Sequence, residues 1–274
     1  MIYCVWYPSG GFGHFINAVL TLYGKDFLRP TGSLKFSSNG NSHNLDLVVP
    51  KYLHGQWVDH FEFLNDKNYC VLIDNGINNE QTHFKDRFTK ATVIKICYSD
   101  QSWPVIAKTM IDKAMVSCIE TELDTKDWKT DAPWAKREKY FLFLRDHNLR
   151  YAWRASNNYH LHIDDFFDYY VFFNKLNLLV STESFKDLWE QWRHANDQYI
   201  APIEIAKNVV AAVKLNQSCS LDHIQDIWIQ SVVYYYIWIT FGVEVPHNNY
   251  SNWFTNTQDI ITMLNTHGVV VDQS

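Results

Sequence analysis

The chain has 274 residues, of which 47% are hydrophobic, 20% charged and 16% aromatic. These fractions are ordinary for a globular protein, so they exclude a chain that is disordered throughout. The 24 Lys and Arg residues stand against 30 Asp and Glu residues, which gives a net charge of −6. This balance argues against a broadly basic nucleic-acid-binding protein, although it allows a local basic pocket.

The five cysteines are far apart in the chain, and no two of them form a Cys-x-x-Cys pair. The sequence therefore predicts neither a disulfide scaffold nor a thiolate zinc site, and it is typical of a reducing compartment. The amino-terminal residues lack the features of a signal peptide, and no apolar run reaches the length of about 18 residues that spans a membrane. We expect a cytoplasmic protein, and the sequence leaves its oligomeric state open.

The first elements in chain order are a strand, a glycine-rich turn and a helix. Residues 1–7 form a short apolar run rich in strand-forming residues. The turn PSGGFG follows over 8–13, and apolar residues then recur at helical spacing from 14 to 23. Gly24 is expected to cap the carboxyl end of this helix.

Three further strands are predicted along the chain. Residues 69–74 and 91–98 are apolar with little alternation, which suggests a sheet that is covered on both faces. Ser102 and Pro104 are expected to start a helix that runs to about residue 118. Residues 159–163 alternate between polar and apolar side chains and form the fourth strand.

The remaining segments are predicted to be loops or helices. Residues 30–44 are polar and turn-rich, and Asp131 with Pro133 starts an amphipathic helix. Later helices are expected over 166–179, 184–194, 203–213, 220–241 and 256–264. This alternation predicts a single α/β domain over 1–274, with a parallel sheet, helices on both faces and a helical region from about 180 to 274.

The glycine-rich turn before the first helix is the strongest functional signal. The amino end of a helix presents unpaired backbone N–H groups and a partial positive charge, and glycines let a phosphate approach that backbone closely. The candidate nucleotide-binding residues here are Ser9, Gly10, Gly11, Phe12, Gly13 and His14. The turn has neither the Lys of a Walker loop nor the third glycine of a dinucleotide-binding loop. The alternative is a tight connection that binds no ligand.

Four segments in chain order resemble the sulfotransferase family. YPSGGFGHF at 7–15 is similar to the family's loop for the 5′-phosphosulfate group, and VLIDN at 71–75 lies where the family has a strand that ends near its catalytic histidine. TVIKICYSDQS at 92–102 resembles the strand and turn that bind the 3′-phosphate, and YHLHIDD at 159–165 is similar to a YEDL-type junction. The chain has no basic residue in the loop and no Arg at the end of the 92–98 strand, where the family carries them.

This resemblance implies a P-loop NTPase-like, sulfotransferase-like fold and a transferase that moves a sulfuryl group from phosphoadenosine phosphosulfate to a hydroxylated small molecule or glycan. It implies that Ser99 and Ser102 bind the 3′-phosphate of this donor. Transfer also needs a base that deprotonates the acceptor. Asp74, at the expected carboxyl edge of the sheet, is the first catalytic candidate and His14 the second, although the DNG sequence at 74–76 also fits a plain turn.

Two other functional interpretations stay open at this point. GGFGH at 10–14 also resembles the GGxGN-type loop of GDP-fucose-dependent fucosyltransferases, which implies a nucleotide-sugar glycosyltransferase. The remaining alternative is a non-catalytic protein that keeps the P-loop-like fold.

Three other patterns have both a functional and a structural interpretation. His160, His162 and Asp164 alternate and are expected on one side of a strand, as a metal site would require. The preferred interpretation is a polar sheet face followed by an acidic helix start, and no metal is predicted. The basic residues between 136 and 154 are expected on a solvated helix face, and the tyrosines at 234–236 in a buried helix.

Overall fold

The computed structural model of the chain describes residues 1–7, 11–28, 66–74, 92–112, 158–177, 179–180, 185–243, 245 and 253–271. Several sequence predictions lie outside these residues, namely those for Ser9, Gly10, the loop over 30–44, the turn residues 75–76, the helix from Asp131 and the basic residues between 136 and 154. They stay predictions from the sequence.

Four parallel strands form the sheet: β1 Ile2–Tyr7, β2 Tyr69–Asp74, β3 Thr92–Cys97 and β4 Asn158–His162. Their order across the sheet is β2-β1-β3-β4. The register pairs Tyr7 with Asp74 and Cys97 with His162, so the carboxyl ends of the strands meet at one edge. The parallel sheet confirms the prediction of an α/β fold, and each strand lies within one residue of its predicted position.

The described residues contain seven α-helices: α1 Gly13–Tyr23, α2 Trp103–Asp112, α3 Tyr169–Leu176, α4 Lys186–Ala195, α5 Asp197–Lys214, α6 Ile227–Phe241 and α7 Thr257–Thr266. A 3-10 helix, Ile163–Phe167, connects β4 to α3. α2 begins directly after Ser102, as predicted. α7 begins after Asn256, whose side chain accepts a hydrogen bond from the Asp259 N–H at 3.1 Å. This start also agrees with the sequence.

Gly24 ends α1 as predicted, but for a different physical reason. Its backbone is extended, with φ −68° and ψ 148°, rather than left-handed. A Cβ atom at this position would overlap the Leu20 carbonyl oxygen and the Phe27 ring. The position therefore favours glycine because of close packing and not because of its backbone angles.

Two helix starts in the carboxyl-terminal region differ from the sequence prediction. α5 begins at Asp197 rather than at 203. Pro202 lies inside this helix, where it removes one backbone hydrogen bond but does not end the helix. α6 begins at 227 rather than at Ser220, because the Asp226 carboxylate caps it by accepting the Ile229 N–H at 3.1 Å. Its carboxyl end is as predicted, at a glycine with φ 72°.

An aromatic cluster joins α1 to the elements that follow the sheet. Phe15 stacks on Trp192 of α4 with ring centroids 4.6 Å apart, and Phe166 of the 3-10 helix stacks on Phe172 of α3 at 4.7 Å. All four rings are fully buried. Because large buried rings supply much of the apolar stabilisation, the position of α1 depends on the packing of α3, α4 and the 3-10 helix.

Helices α5 and α6 pack along each other in the carboxyl-terminal region. Tyr234, Tyr235 and Tyr236 of α6 are buried, which confirms their assignment to a buried helix. Among the helices of the described residues, none combines the length and the apolar character that a membrane span requires.

Candidate functional site

The strand order makes the carboxyl ends of β1 and β3 the switch point of the sheet, and we call this edge the crevice because ligands of such sheets bind there. Because β2 and β3 lie on opposite sides of β1, the path of the chain across the sheet reverses between β1 and β3. In open parallel sheets, ligands bind outside the carboxyl ends of the strands at such a point. The turn before α1 follows β1, and the turn before α2 follows β3. Both sequence-predicted binding segments, 11–14 and 99–102, therefore flank the crevice.

Phe12 turns the chain from β1 into α1 through a left-handed backbone conformation, with φ 61° and ψ 22°. Its carbonyl oxygen accepts the Phe15 N–H at 2.9 Å and so starts the helix. Its ring is buried edge-on against Trp192, with centroids 5.1 Å apart. A non-glycine residue in this conformation costs about 1–3 kcal/mol, which the burial of the ring offsets. The sequence predicted that Phe12 belongs to a phosphate-binding turn. In the structure its ring is buried and packs against Trp192.

Gly13 lies against the ring of Tyr7, the last residue of β1. A Cβ atom at Gly13 would overlap several atoms of that ring. The absence of a side chain therefore lets α1 start directly above the end of β1. This packing role is independent of any phosphate, and it explains at least one glycine of the turn without a ligand.

His14 lies in the first turn of α1 and is partly exposed. Its ring contacts Tyr7 edge-on, with centroids 6.0 Å apart and planes at 80°. The first turn of α1 contains no acidic side chain, and the side chain of Phe12, the residue before it, makes no capping hydrogen bond. The partial positive charge of the helix end is therefore not compensated by a carboxylate from this turn, which is the electrostatic arrangement that favours an anion.

The turn between β3 and α2 is held by hydroxyl groups. The Ser99 N–H donates to Ser102 Oγ at 2.8 Å, and the Ser99 hydroxyl donates to Oδ2 of Asp164 at 2.8 Å. Ser102 is completely buried, and Ser99 and Asp164 are partly exposed. The structure thus brings the two predicted phosphate-binding serines together, and it adds a carboxylate beside one of them.

Two tyrosines of α6 fix the same turn from the opposite side. The hydroxyl of Tyr235 donates to the Asp100 carbonyl oxygen and that of Tyr236 to the Gln101 carbonyl oxygen, both at 2.6 Å. Burial raises the pKa of Tyr236, and the negative charge of Asp164 adds to this shift. The phenol therefore stays protonated and remains a donor. A buried tyrosine hydroxyl usually has a partner, but nothing in the sequence indicates which carbonyl it is.

The histidines of β4 do not form the predicted strand pattern with Asp164. The strand ends at His162, and Asp164 lies in the 3-10 helix, where its carboxylate bonds to Ser99. The expectation that these three side chains alternate along one strand is therefore wrong. Within the described parts of the chain, no group of three His, Cys, Asp or Glu side chains could hold a metal ion.

His160 instead pairs with a cysteine of the neighbouring strand. Its Nδ1 atom lies 3.8 Å from the Cys97 sulfur, and in the register it is opposite Lys95. Burial raises the pKa of the Cys97 thiol, and the positive charge of Lys95 opposes that shift. These residues form a polar strip on one face of β3 and β4.

Asp74, the first candidate for a catalytic base, ends β2 directly opposite Tyr7. It lies at the carboxyl edge, as predicted, but β1 separates it from the turn after β3. Neighbouring strands are about 4.8 Å apart, so the ends of β2 and β3 are separated by roughly 10 Å. The structure therefore groups Asp74 with the start of α1 and groups Ser99 and Ser102 with Asp164.

Comparison of the chain with family models, with curated proteins and with solved structures finds no match in any of the three. Functional conclusions therefore rest on the residues and geometry of the chain itself.

We expect Gly13→Ala to lower the free energy of unfolding by about 1–3 kcal/mol, because the added Cβ overlaps the Tyr7 ring. Urea denaturation measures this loss. A Tyr7→Ala background is the matched control, since Gly13→Ala should cost less once the ring is gone. Equal losses in both backgrounds would contradict the proposed role of this contact.

We expect the stability of the protein to fall above about pH 10 in part because of Tyr236. Its pKa is raised in the folded state, so its contribution is complete below the pKa of an unfolded tyrosine and is lost as the pH rises beyond it. Denaturation at several pH values between about 9 and 11 should give a flatter pH dependence for Tyr236→Phe than for the wild type. Tyr170→Phe, at a residue that is 69% exposed, should behave like the wild type. A wild-type slope in Tyr236→Phe would refute the assignment.

Proposed function

We propose that the chain is a nucleotide-dependent transferase that binds the phosphate groups of its donor at the amino end of α1 and moves a group from the donor to a hydroxyl of an acceptor. The observation that carries this proposal is the position of the turn 11–14. It lies where the order in which the chain adds strands to the sheet reverses. That placement combines a helix amino end without acidic side chains with the edge of the sheet where ligands of this fold class bind.

Two donor classes fit this proposal. The sequence resemblance implies sulfuryl transfer from phosphoadenosine phosphosulfate in a P-loop-like, sulfotransferase-like fold. The second candidate is a nucleotide sugar, and it is favoured by the carboxylate of Asp164, which bonds to Ser99 where the first donor would place its 3′-phosphate. In both cases a small molecule or glycan with a free hydroxyl accepts the group.

In this proposal each chain residue has a defined task. The backbone N–H groups at the start of α1, together with His14, hold the donor phosphates and stabilise the negative charge that develops on the leaving phosphate oxygen. Asp74 accepts the proton of the acceptor hydroxyl. The acceptor oxygen then forms a bond to the transferred group as the bond from that group to the phosphate oxygen breaks.

The first test is thermal stability with adenosine 3′,5′-bisphosphate, GDP, UDP and ATP, each with and without magnesium. A ligand at 100 times its dissociation constant adds about 2.7 kcal/mol, which should raise the melting temperature by several degrees. A rise with the bisphosphate alone supports sulfuryl transfer, and a rise with GDP or UDP alone supports glycosyl transfer. The absence of a rise with all four nucleotides would reject the proposal.

His14→Glu tests the phosphate site at the start of α1. A carboxylate in the first turn of a helix is favourable for the helix but repels a phosphate. We expect the melting temperature to be kept and nucleotide affinity, measured by calorimetry, to fall about tenfold or more. His223→Glu, at an exposed residue before α6, introduces the same charge elsewhere and should leave the affinity unchanged. Unchanged affinity in His14→Glu would place the phosphates at another position.

Asp74→Asn tests the proposed base. The amide cannot accept the proton of the acceptor hydroxyl, so we expect turnover to fall by about 100-fold or more while donor affinity stays the same. Single-turnover kinetics combined with calorimetry separates the two effects. Turnover at the wild-type rate would remove Asp74 from this role.

A further inference from the structure

The carboxylate of Asp164 has one oxygen with a hydrogen-bond partner and one without. Oδ2 accepts the Ser99 hydroxyl at 2.8 Å, whereas Oδ1 is buried and makes no hydrogen bond. Within the described residues, no Lys, Arg or His forms an ion pair with this carboxylate. Buried carboxylate oxygens are nearly always paired, so an unpaired oxygen at the edge of a ligand crevice calls for a donor from outside the chain.

The position of Asp164 suits the sugar of a nucleotide. The residue follows β4, and its partner Ser99 follows β3, so both lie at the carboxyl edge beside the crevice. Two strand spacings, roughly 10 Å, separate the end of β4 from the end of β1. A nucleotide with its phosphates at the start of α1 can span that distance. Asp164 is partly exposed as a whole residue, but its Oδ1 atom is covered, so a ligand at the edge reaches that oxygen only when a neighbouring group shifts.

The charge of Asp164 distinguishes between a phosphate and a hydroxyl as the ligand group beside Ser99. Burial is the main cause of the raised pKa of Tyr236, and the negative charge of Asp164 adds to it, so this carboxylate acts on groups beside the turn after β3. A phosphate beside Ser99 would be repelled by it, whereas a hydroxyl would donate a hydrogen bond to it. The Ser99 hydroxyl already donates its one proton to Asp164, so it has none to donate to a phosphate.

We infer that Ser99 and Asp164 form a ribose-binding corner, and that the nucleotide donor of this protein carries a free ribose hydroxyl rather than a 3′-phosphate. This inference rests on the proposed nucleotide-dependent function and narrows it to donors of the nucleoside 5′-diphosphate class. It assigns a ribose hydroxyl to the carboxylate of Asp164, which the sequence analysis had interpreted only as part of an acidic helix start.

The experiment is calorimetry with matched pairs of nucleotides. For adenine, guanine and uracil in turn, the 5′-diphosphate is compared with the 3′,5′-bisphosphate, which has the same base and the same number of phosphates. We expect the wild type to prefer the 5′-diphosphate of its base by about tenfold or more, and Asp164→Asn to reduce that preference about tenfold. Asp165→Asn is the matched control, because the neighbouring carboxylate bonds to the His162 N–H and lies 3.8 Å from the Lys175 ammonium. It should keep the wild-type preference.

A second set of ligands tests the ribose hydroxyl directly. It can be measured with the wild type alone, so it tests the inference even if Asp164→Asn fails to fold. Of the 2′-deoxy and 3′-deoxy 5′-diphosphates, at least one should bind the wild type about tenfold more weakly, and Asp164→Asn should not distinguish them. Three results would overturn the inference and leave nucleotide binding intact. They are a wild-type preference for the bisphosphate, an unchanged preference in Asp164→Asn, and equal binding of the ribose, 2′-deoxy and 3′-deoxy diphosphates. Failure of the wild type to bind every nucleotide would instead overturn the proposed function, and the ribose assignment with it.

Discussion

The tight passage from β1 into α1 is the constraint on which the rest of the structure depends. The Tyr7 ring occupies the space where a side chain of Gly13 would lie, and Phe12 must adopt a left-handed backbone for the helix to start there. Such a conformation persists only when surrounding contacts determine it. Those contacts come from Trp192 and Phe166, which belong to elements far along the chain. The aromatic cluster therefore holds the amino end of α1 in a fixed place and orientation.

The two turns that flank the crevice are held by different kinds of interaction. The turn before α1 is held by ring packing, and the first turn of α1 contains no acidic side chain. The second turn rests on hydroxyls, from Ser99 to Asp164 and from Tyr235 and Tyr236 to backbone carbonyls. One side of the crevice is thus suited to an anion and the other to a hydroxyl. A nucleotide presents these two groups at opposite ends of its sugar phosphate, which is why we propose one nucleotide as the ligand of both turns.

Local patterns predicted most of the strands and helices, because they depend on periodicity and capping that a single segment carries. The strand at 69–74 and the cap at Asn256 are examples. Features that arise from distant contacts could not be predicted. The sequence predicted a helix from 203, yet Pro202 lies inside α5, where packing against α6 outweighs the one lost hydrogen bond. Asp164 reads as a helix cap, and only the pairing of β3 with β4 brings it to Ser99. The sequence marked the turn before α1 together with Ser99 and Ser102 as candidate binding residues, and it missed the contact of Asp164 with Ser99 for this reason.

The hydrogen bonds from α6 to the turn after β3 join residues 135 positions apart in the chain. During synthesis, the amino-terminal part of a protein leaves the ribosome and begins to fold first. A nascent chain could pair β1, β2 and β3 long before Tyr235 and Tyr236 exist to support the turn beside them. Contacts of such high sequence separation form late, because closing long loops costs entropy. The turn after β3 would thus be fixed only once α6 has been made, and a translation product interrupted before α6 would carry the four strands without the hydrogen bonds that hold this turn.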